Sequence, residues 1–317
     1  MKAHTAQGVP VSRLLEFENL ALTVFAGQKG LSRQITSPEL NRPALELVGY
    51  FERFRPERVQ IWGSGEVGFI ESHAEDPELQ QRVRHFFASG IPCCVITNGV
   101  LTPPLLARMA DEYGVCLFGS PHNTTRFTKR LWEHLEHELS PTVVHRGVLL
   151  DVYGVGTLII GQSGIGKSEC ALELMEKGHT FVADDLIEVR APQESRLLGT
   201  GRSPVPFHME IRGIGIIDVN RVFGPRNIRK EKQIDLIVEL QDWNPNVEYE
   251  RVGIDQRFRD ILGVKVPYVL IPIRPGRNIS TIIEIAAINQ KLKAQGVHMA
   301  AEFDRNLISA MRGRAQR

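Results

Sequence analysis

Residues 155–168 read Val-Gly-Thr-Leu-Ile-Ile-Gly-Gln-Ser-Gly-Ile-Gly-Lys-Ser, and no other stretch narrows the possible folds as much. An apolar strand (Leu158, Ile159, Ile160) ends in Gly161, four residues pass, and Gly166-Lys167-Ser168 opens a helix continuing through Leu174. This is a complete G-x-x-x-x-G-K-S loop between a strand and a helix, the context that gives the motif its meaning. Glycines let the backbone curl so that successive N–H groups point inward at phosphate oxygens. The helix N-terminus adds partial positive charge at the same place. Lys167 supplies a cation for β/γ-phosphates and Ser168 a hydroxyl for Mg²⁺. The stretch Gly161, Gln162, Ser163, Gly164, Ile165, Gly166, Lys167 and Ser168 is therefore expected to bind a nucleoside triphosphate or a related polyphosphate.

A chain of 317 residues with 42% hydrophobic content suggests two domains, each with its own core. Net charge is +1, which gives no bulk attraction to nucleic acid or to an anionic membrane. Arg312, Arg314 and Arg317 read as solvated charge. The segment Met1–Thr5 lacks the apolar core of a signal peptide, and no apolar run approaches the length of a membrane span. Cys93, Cys94, Cys116 and Cys170 show neither C-x-x-C spacing nor a disulfide framework. The expectation is a cytoplasmic protein.

The first part reads as a compact α/β module. Val9 to Phe25 alternates apolar and polar residues; 59–62, 93–96 and 115–118 read as strands, with helical patterns at 77–87 and 103–113. A long helix from Thr124 to Leu139 carries Phe127, Leu131, Leu135 and Leu139 at spacings of four. Ser140-Pro141 stops it, which sets the expected domains at 1–140 and 141–317. His134, His137 and Glu138 on that helix form either a polar surface face or a metal site. In the second domain, 147–153 is a strand, 154–156 a tight hairpin, and Gly178 ends the loop helix. Strands are expected at 180–189 and 234–240 and a final helix at 280–293. Residues 191–208, rich in Pro, Gly, Ser and Arg, read as a long loop and a candidate lid.

Asp184 and Asp185 follow the apolar Phe181-Val182-Ala183. Adjacent strand residues point to opposite faces, so one of the two is expected to face the nucleotide. One such Asp can hold Mg²⁺ and the other accept a proton from an attacking hydroxyl, or the pair caps a strand end. Glu210-Ile211-Arg212 precedes Gly213-Ile214-Gly215; Glu210 is a second metal ligand or an ordinary strand residue, and the Gly-x-Gly also fits a buried strand. Arg221, Arg226, Arg229, Lys230 and Lys232 are a solvated face or a phosphate clamp. Pro272–Arg277 is stiff at its prolines and presents Arg274 and Arg277 before the last helix.

Taken together, His145, Gly161–Ser168, Ala183-Asp184-Asp185, Glu210–Asp218, Arg251 and Pro272–Arg277 resemble the HPr kinase/phosphorylase family. Over 143–300 the resemblance is close; in the first domain it is looser, although Thr124-Thr125-Arg126-Phe127 fits. It implies an α/β chain with a small N-terminal domain followed by a P-loop kinase domain with a mixed sheet and a phosphoenolpyruvate-carboxykinase-like nucleotide site. It further implies ATP- or pyrophosphate-dependent phosphorylation of a serine of HPr, the phosphocarrier of the sugar phosphotransferase system. The reverse reaction would be phosphorolysis by inorganic phosphate, releasing pyrophosphate, in the regulation of carbon metabolism by a homohexamer. By position, Lys167 and the loop amides would hold phosphates, and Ser168 with Glu210 would bind Mg²⁺. Asp185 would exchange the serine proton, supported by Asp184; His145 and Arg251 match catalytic positions. Arg274 and Arg277 match a segment tied to dephosphorylation. Two departures stand out: Arg146 separates His145 from Gly147, where the family has His directly before the Gly-Val strand, and Arg274 stands where the family favours Lys. The competing readings are a small-molecule or carboxykinase-like kinase and a nucleotide-gated regulatory binding protein.

Overall fold

The computed structural model describes residues 8–193, 195–246, 249, 256–274, 276–303 and 305. The chain divides into two compact units, one over Thr5–Ser140 and the other including Pro141–Arg317.

The first unit is built on a five-stranded sheet in the order Thr23–Ala26, Cys116–Gly119, Cys93–Ile96, Val59–Trp62, Leu40–Asn41. The last four are mutually parallel, and Thr23–Ala26 pairs antiparallel at the edge. Helices Ser64–Ser72, Pro77–Ala88 and Pro104–Tyr113 pack on one face around Trp62, Phe86 and Phe87. Thr124–Leu139 covers the other through Phe127, Leu131 and Leu135. Burial on both faces explains why these strands read as continuous apolar runs, Cys93 and Cys94 among them. The alternation over Val9–Phe25 resolves differently: Val11–Glu16 and Glu18–Leu20 are 3₁₀ turns. Val11 and Leu14, three apart, share the buried side that three residues per turn produces. His134 stacks on Phe17 and its Nε2 meets Asn19 Oδ1 at 2.8 Å, so its surroundings are those of a packed surface ring.

The second unit holds an eight-stranded mixed sheet in the order Glu231–Gln233, Arg196–Gly201, Thr180–Gln193, Thr142–Val152, Val155–Gly161, Leu236–Asp242, Val264–Ile273, Arg257–Ile261. Val155–Gly161, Leu236–Asp242 and Val264–Ile273 are parallel neighbours, and the rest pair antiparallel. One face packs under the loop helix Lys167–Glu176 and the helix Ile279–Ala294, burying Val148, Ile159, Leu174, Val238 and Ile283. The other face buries a separate cluster including Leu149, Leu158, Ile187, Ile237 and Val266. The turn between Thr142–Val152 and Val155–Gly161 sits one residue earlier than expected. Tyr153 and Gly154 have φ of 54° and 88°, both positive as a two-residue type I′ hairpin requires.

The expected loop over 191–208 is mostly strand. Thr180–Gln193 runs on past Val189, and Arg196–Gly201 returns antiparallel to it. Ile187, Val189 and Leu197 are buried on one face, an alternation masked in the sequence by the surrounding Pro, Gly and Arg.

Candidate active site

The loop strand Val155–Gly161 is held between two neighbours in the interior of the sheet, and the phosphate loop emerges from its carboxyl end. Gly161, Gly164 and Gly166 have φ of 152°, 82° and 98°, conformations that favour glycine. A side chain at Gly161 would also collide with the Leu240 carbonyl at 2.6 Å. The helix starts at Lys167 and buries Cys170, Ala171, Leu174 and Met175, which fixes its N-terminus against the loop. At its far end Gly178 N–H reaches Met175 O and His179 N–H reaches Leu174 O, a glycine stop of the expected kind. Lys167 Nζ folds back onto the loop, donating to Gly161 O at 3.1 Å and Gln162 O at 2.8 Å.

Ser168 Oγ donates to the Asp184 carboxylate at 3.1 and 3.3 Å. The register explains the meeting: Asp184 lies opposite Val148, on the face that packs under the loop helix. Burial pushes the Asp184 carboxyl up to about 6, against the lowering effect of its bonds from Ser168 and the Asp185 N–H. Asp185 lies opposite Gly147 and is exposed. Its φ of 69° is left-handed, a strain of about 1–3 kcal/mol that a non-glycine residue keeps only where the surroundings impose it. The strand shifts register between Phe181 and Ala183, so the irregularity begins just before the two carboxylates.

Glu210 is exposed on the hairpin His208–Ile211/Gly215–Asp218. That hairpin accounts for the Gly-x-Gly: Gly213 and Gly215 turn it with φ of 85° and 103°, in open space and not in a buried strand. The hydrogen-bonded partner of Ser168 is Asp184, not Glu210. Arg212, on the same hairpin, belongs to the Glu210–Asp218 run that carries the resemblance but has no role of its own in the sequence reading. Its guanidinium lies so close to the loop that a Cβ on Gly164 would meet Nη1 at 2.8 Å. Only the spacing of a motif could have hinted at this, because nothing local distinguishes Arg212 from a solvated arginine. A cleft of about 230 Å³ beside Asp184 is lined also by His208, Lys230, Phe207 and Ser203. In the basic stretch, Arg229 and Lys232 pair with Asp151 and Arg221 with Asp218.

His145 lies opposite Ile187, on the face of the sheet away from the loop helix, so the structure does not bring it to the Ser168–Asp184 pair. Among the described residues its Nε2 is buried without a hydrogen-bond partner, and burial together with the positive charge of Arg259 lowers its pKa. Arg274 and Arg277 follow the strand Val264–Ile273, at the same sheet edge as the phosphate loop. Arg251 lies outside the described residues, as does Pro275 within the Pro272–Arg277 segment. Among the described residues no group of three or more His, Cys, Asp or Glu is placed to hold a metal by itself. A phosphate loop does not need one, since Mg²⁺ there takes one or two protein oxygens and completes its shell with phosphate and water.

Two family models account for nearly the whole chain: the HPr Serine kinase N terminus matches residues 9–135 and the HPr Serine kinase C-terminal domain matches 137–307. The HPr kinase/phosphorylase of Geobacter sulfurreducens is 41% identical over 292 residues, covering 92% of this chain and 91% of that protein. That of Leptospira biflexa is 42% identical over 303 residues, covering 95% and 94%. A solved structure of the Hpr(Ser) kinase/phosphatase from Coxiella burnetii is 32% identical, covers 51% of this chain and 98% of that one, and superposes with a TM-score of 0.45. Such identity over almost the full length of both partners, with the phosphate loop and the paired aspartates within the matched span, places the chain in the HPr serine kinase family.

Proposed function

We propose that this chain transfers the γ-phosphoryl group of ATP, or a phosphoryl group of pyrophosphate, to a serine of HPr. In reverse it would use inorganic phosphate to take that group off phosphoseryl-HPr, releasing pyrophosphate and so regulating carbon metabolism. The observation that carries this reading is the phosphate loop with Ser168 and the partly buried Asp184 converging beside it. The full-length likeness to proteins named HPr kinase/phosphorylase supplies the substrate.

Phosphoryl transfer through a loose transition state asks mainly for positioning and charge neutralisation. The loop amides of Gly161–Ser168 and the helix N-terminus are suited to the phosphate oxygens. Lys167 would leave the carbonyls of Gly161 and Gln162 for the β/γ-phosphates. The hydroxyl and carboxylate oxygens of Ser168 and Asp184 fit a hard cation, and the family resemblance adds Glu210. Mg²⁺ held by these oxygens would neutralise charge on the phosphates. Asp185, exposed and strained beside Asp184, would meet the incoming serine: it accepts the hydroxyl proton going forward and returns it in reverse, as microscopic reversibility demands. Arg251, Arg274 and Arg277 would supply positive charge, whereas His145, on the opposite face of the sheet, would contribute no group to the transfer. The two domains would be 1–140 and 141–317, and the assembly a cytoplasmic homohexamer without nucleic-acid or membrane partners. Among the described residues, no helix is long and apolar enough to cross a membrane.

Incubation with γ-labelled ATP and purified HPr tests the reading. Label on an HPr serine, removed again by inorganic phosphate with formation of pyrophosphate, is the expected result. Label on a small metabolite would make the chain a small-molecule kinase. Binding without any transfer would make it a nucleotide-gated regulator.

A further inference from the structure

Trp243 directly follows the strand Leu236–Asp242, and Arg274 directly follows its parallel neighbour Val264–Ile273. The Trp243 N–H donates to Ile273 O at 3.2 Å, which ties the two strand ends together. Beyond that bond, Cζ of Arg274 sits 3.1 Å from the centre of the Trp243 ring. The ring of Tyr249 stacks on Trp243 at 4.9 Å with an interplanar angle of 25°. A guanidinium that close leaves no room for another ring on the same face, so Tyr249 occupies the opposite one. Tyr249 is itself fastened: its hydroxyl accepts from the Asn244 N–H at 3.0 Å. The result is a three-layer stack of Arg274, Trp243 and Tyr249. It stands at the sheet edge where Leu240 pairs with Gly161 and Asp242 with Ile273, the carboxyl end of the parallel strands from which the phosphate loop emerges. In open α/β sheets that edge is where ligands bind.

Holding an arginine by its face has a chemical consequence. A carboxylate partner would consume two of the five N–H donors and cancel the charge, whereas an aromatic face leaves the donors, which lie in the guanidinium plane, available. Among the described residues no carboxylate pairs with Arg274. Its neighbour Arg277 is held differently, with Nη1 donating to Pro272 O at 3.3 Å. The stack thus presents a fixed, charged fork that, among the described residues, no carboxylate occupies, at the same sheet edge as the phosphate loop, the geometry that recognises a phosphate oxyanion.

We propose that Trp243, backed by Tyr249, is a positioning residue that holds Arg274 to bind inorganic phosphate in the phosphorolysis direction. The proposal rests on the function given above, and its test separates the two. In the full-length protein, KM for phosphate and kcat are measured with phosphoseryl-HPr for the parent, Trp243→Leu, Trp243→Phe, Arg274→Ala and Trp243→Leu/Arg274→Ala. Trp243 is 39% exposed, so leucine leaves no core cavity; melting curves verify folding. Removing a cation–π contact corresponds to a loss of about tenfold. Trp243→Leu should raise KM for phosphate by about that factor with a smaller change in kcat. Trp243→Phe, which keeps an aromatic face, should recover most of it. The double variant should be no worse than Arg274→Ala alone, because Trp243 acts through Arg274. An unchanged KM in Trp243→Leu, or losses that multiply in full in the double variant, would overturn the proposal. If the parent itself neither phosphorylates nor dephosphorylates HPr, the functional reading fails. Titration of inorganic phosphate into parent and Trp243→Leu then decides the stack directly, equal affinity refuting it and weaker affinity in the variant supporting it.

Discussion

In the phosphate loop, Lys167 donates, among the described residues, only to two carbonyls of its own turn, Gly161 O and Gln162 O, and fills no core position. Lys167→Ala should therefore abolish transfer from ATP while shifting the melting temperature by no more than about 2 °C, as for a surface change; near-normal transfer would refute the loop's role. Asp184 has a different profile. Its folded value of about 6 lies above the ordinary 3.8, so between those values the folded chain keeps a proton that the unfolded chain has released. Stability accordingly falls as pH rises through that window, by a difference on the order of 3 kcal/mol. Asp184→Asn should raise the melting temperature at pH 8, leave it nearly unchanged at pH 4, and lower phosphoryl transfer at both. A variant no more stable than the parent at pH 8 would show that the carboxylate is not strained by burial. Asp185→Asn should instead depress both directions of the reaction together, by ~10²–10⁴-fold, with nucleotide affinity little changed. Loss of only one direction would move the proton-transfer role to Asp184.

Among the elements, the turn and strand around Gly156 show how tightly the loop strand is seated. A Cβ there would lie 1.6 Å from the Gln233 carbonyl, a backbone atom that cannot swing away. The Gly156 N–H also donates to Asp235 Oδ2, and its carbonyl accepts from the Asp235 N–H. Gly156→Ala should cost about 3 kcal/mol, the upper range for overpacking, and urea unfolding would measure it; a loss below ~0.5 kcal/mol would contradict the close approach. Nothing in the sequence near Gly156 announces this contact, because its partner is 77 positions away. By contrast the strand–loop–helix at 155–176, the helix Thr124–Leu139 and the strands Val59–Trp62 and Cys93–Ile96 were legible, since their apolar spacing and punctuation are local. Strands Arg196–Gly201 and Arg257–Ile261 were not, being edgeward and rich in charge and glycine. At the site the same division holds. The loop and the aspartate pair could be read from order and type, while the contact of Arg212 with Gly164 and the stack on Trp243 exist only after chain segments far apart in sequence meet.

At the scale of the molecule, the phosphate loop and the two cores beneath and beside it all belong to the unit that begins at Pro141. A fragment spanning 141–317 should fold and bind ATP with an affinity within about threefold of the full chain, which calorimetric titration would test. A folded fragment that does not bind would show that the other unit completes the site. The position of the loop strand carries one more implication. Thr157, Leu158 and Ile159 are fully buried, and the strand is the fifth of eight across the sheet. Amides so placed exchange with solvent only when the whole cooperative unit opens. Heat should consequently extinguish nucleotide binding and folded structure with one and the same time course, leaving no shape-retaining but inert protein for a chaperone or protease to sort.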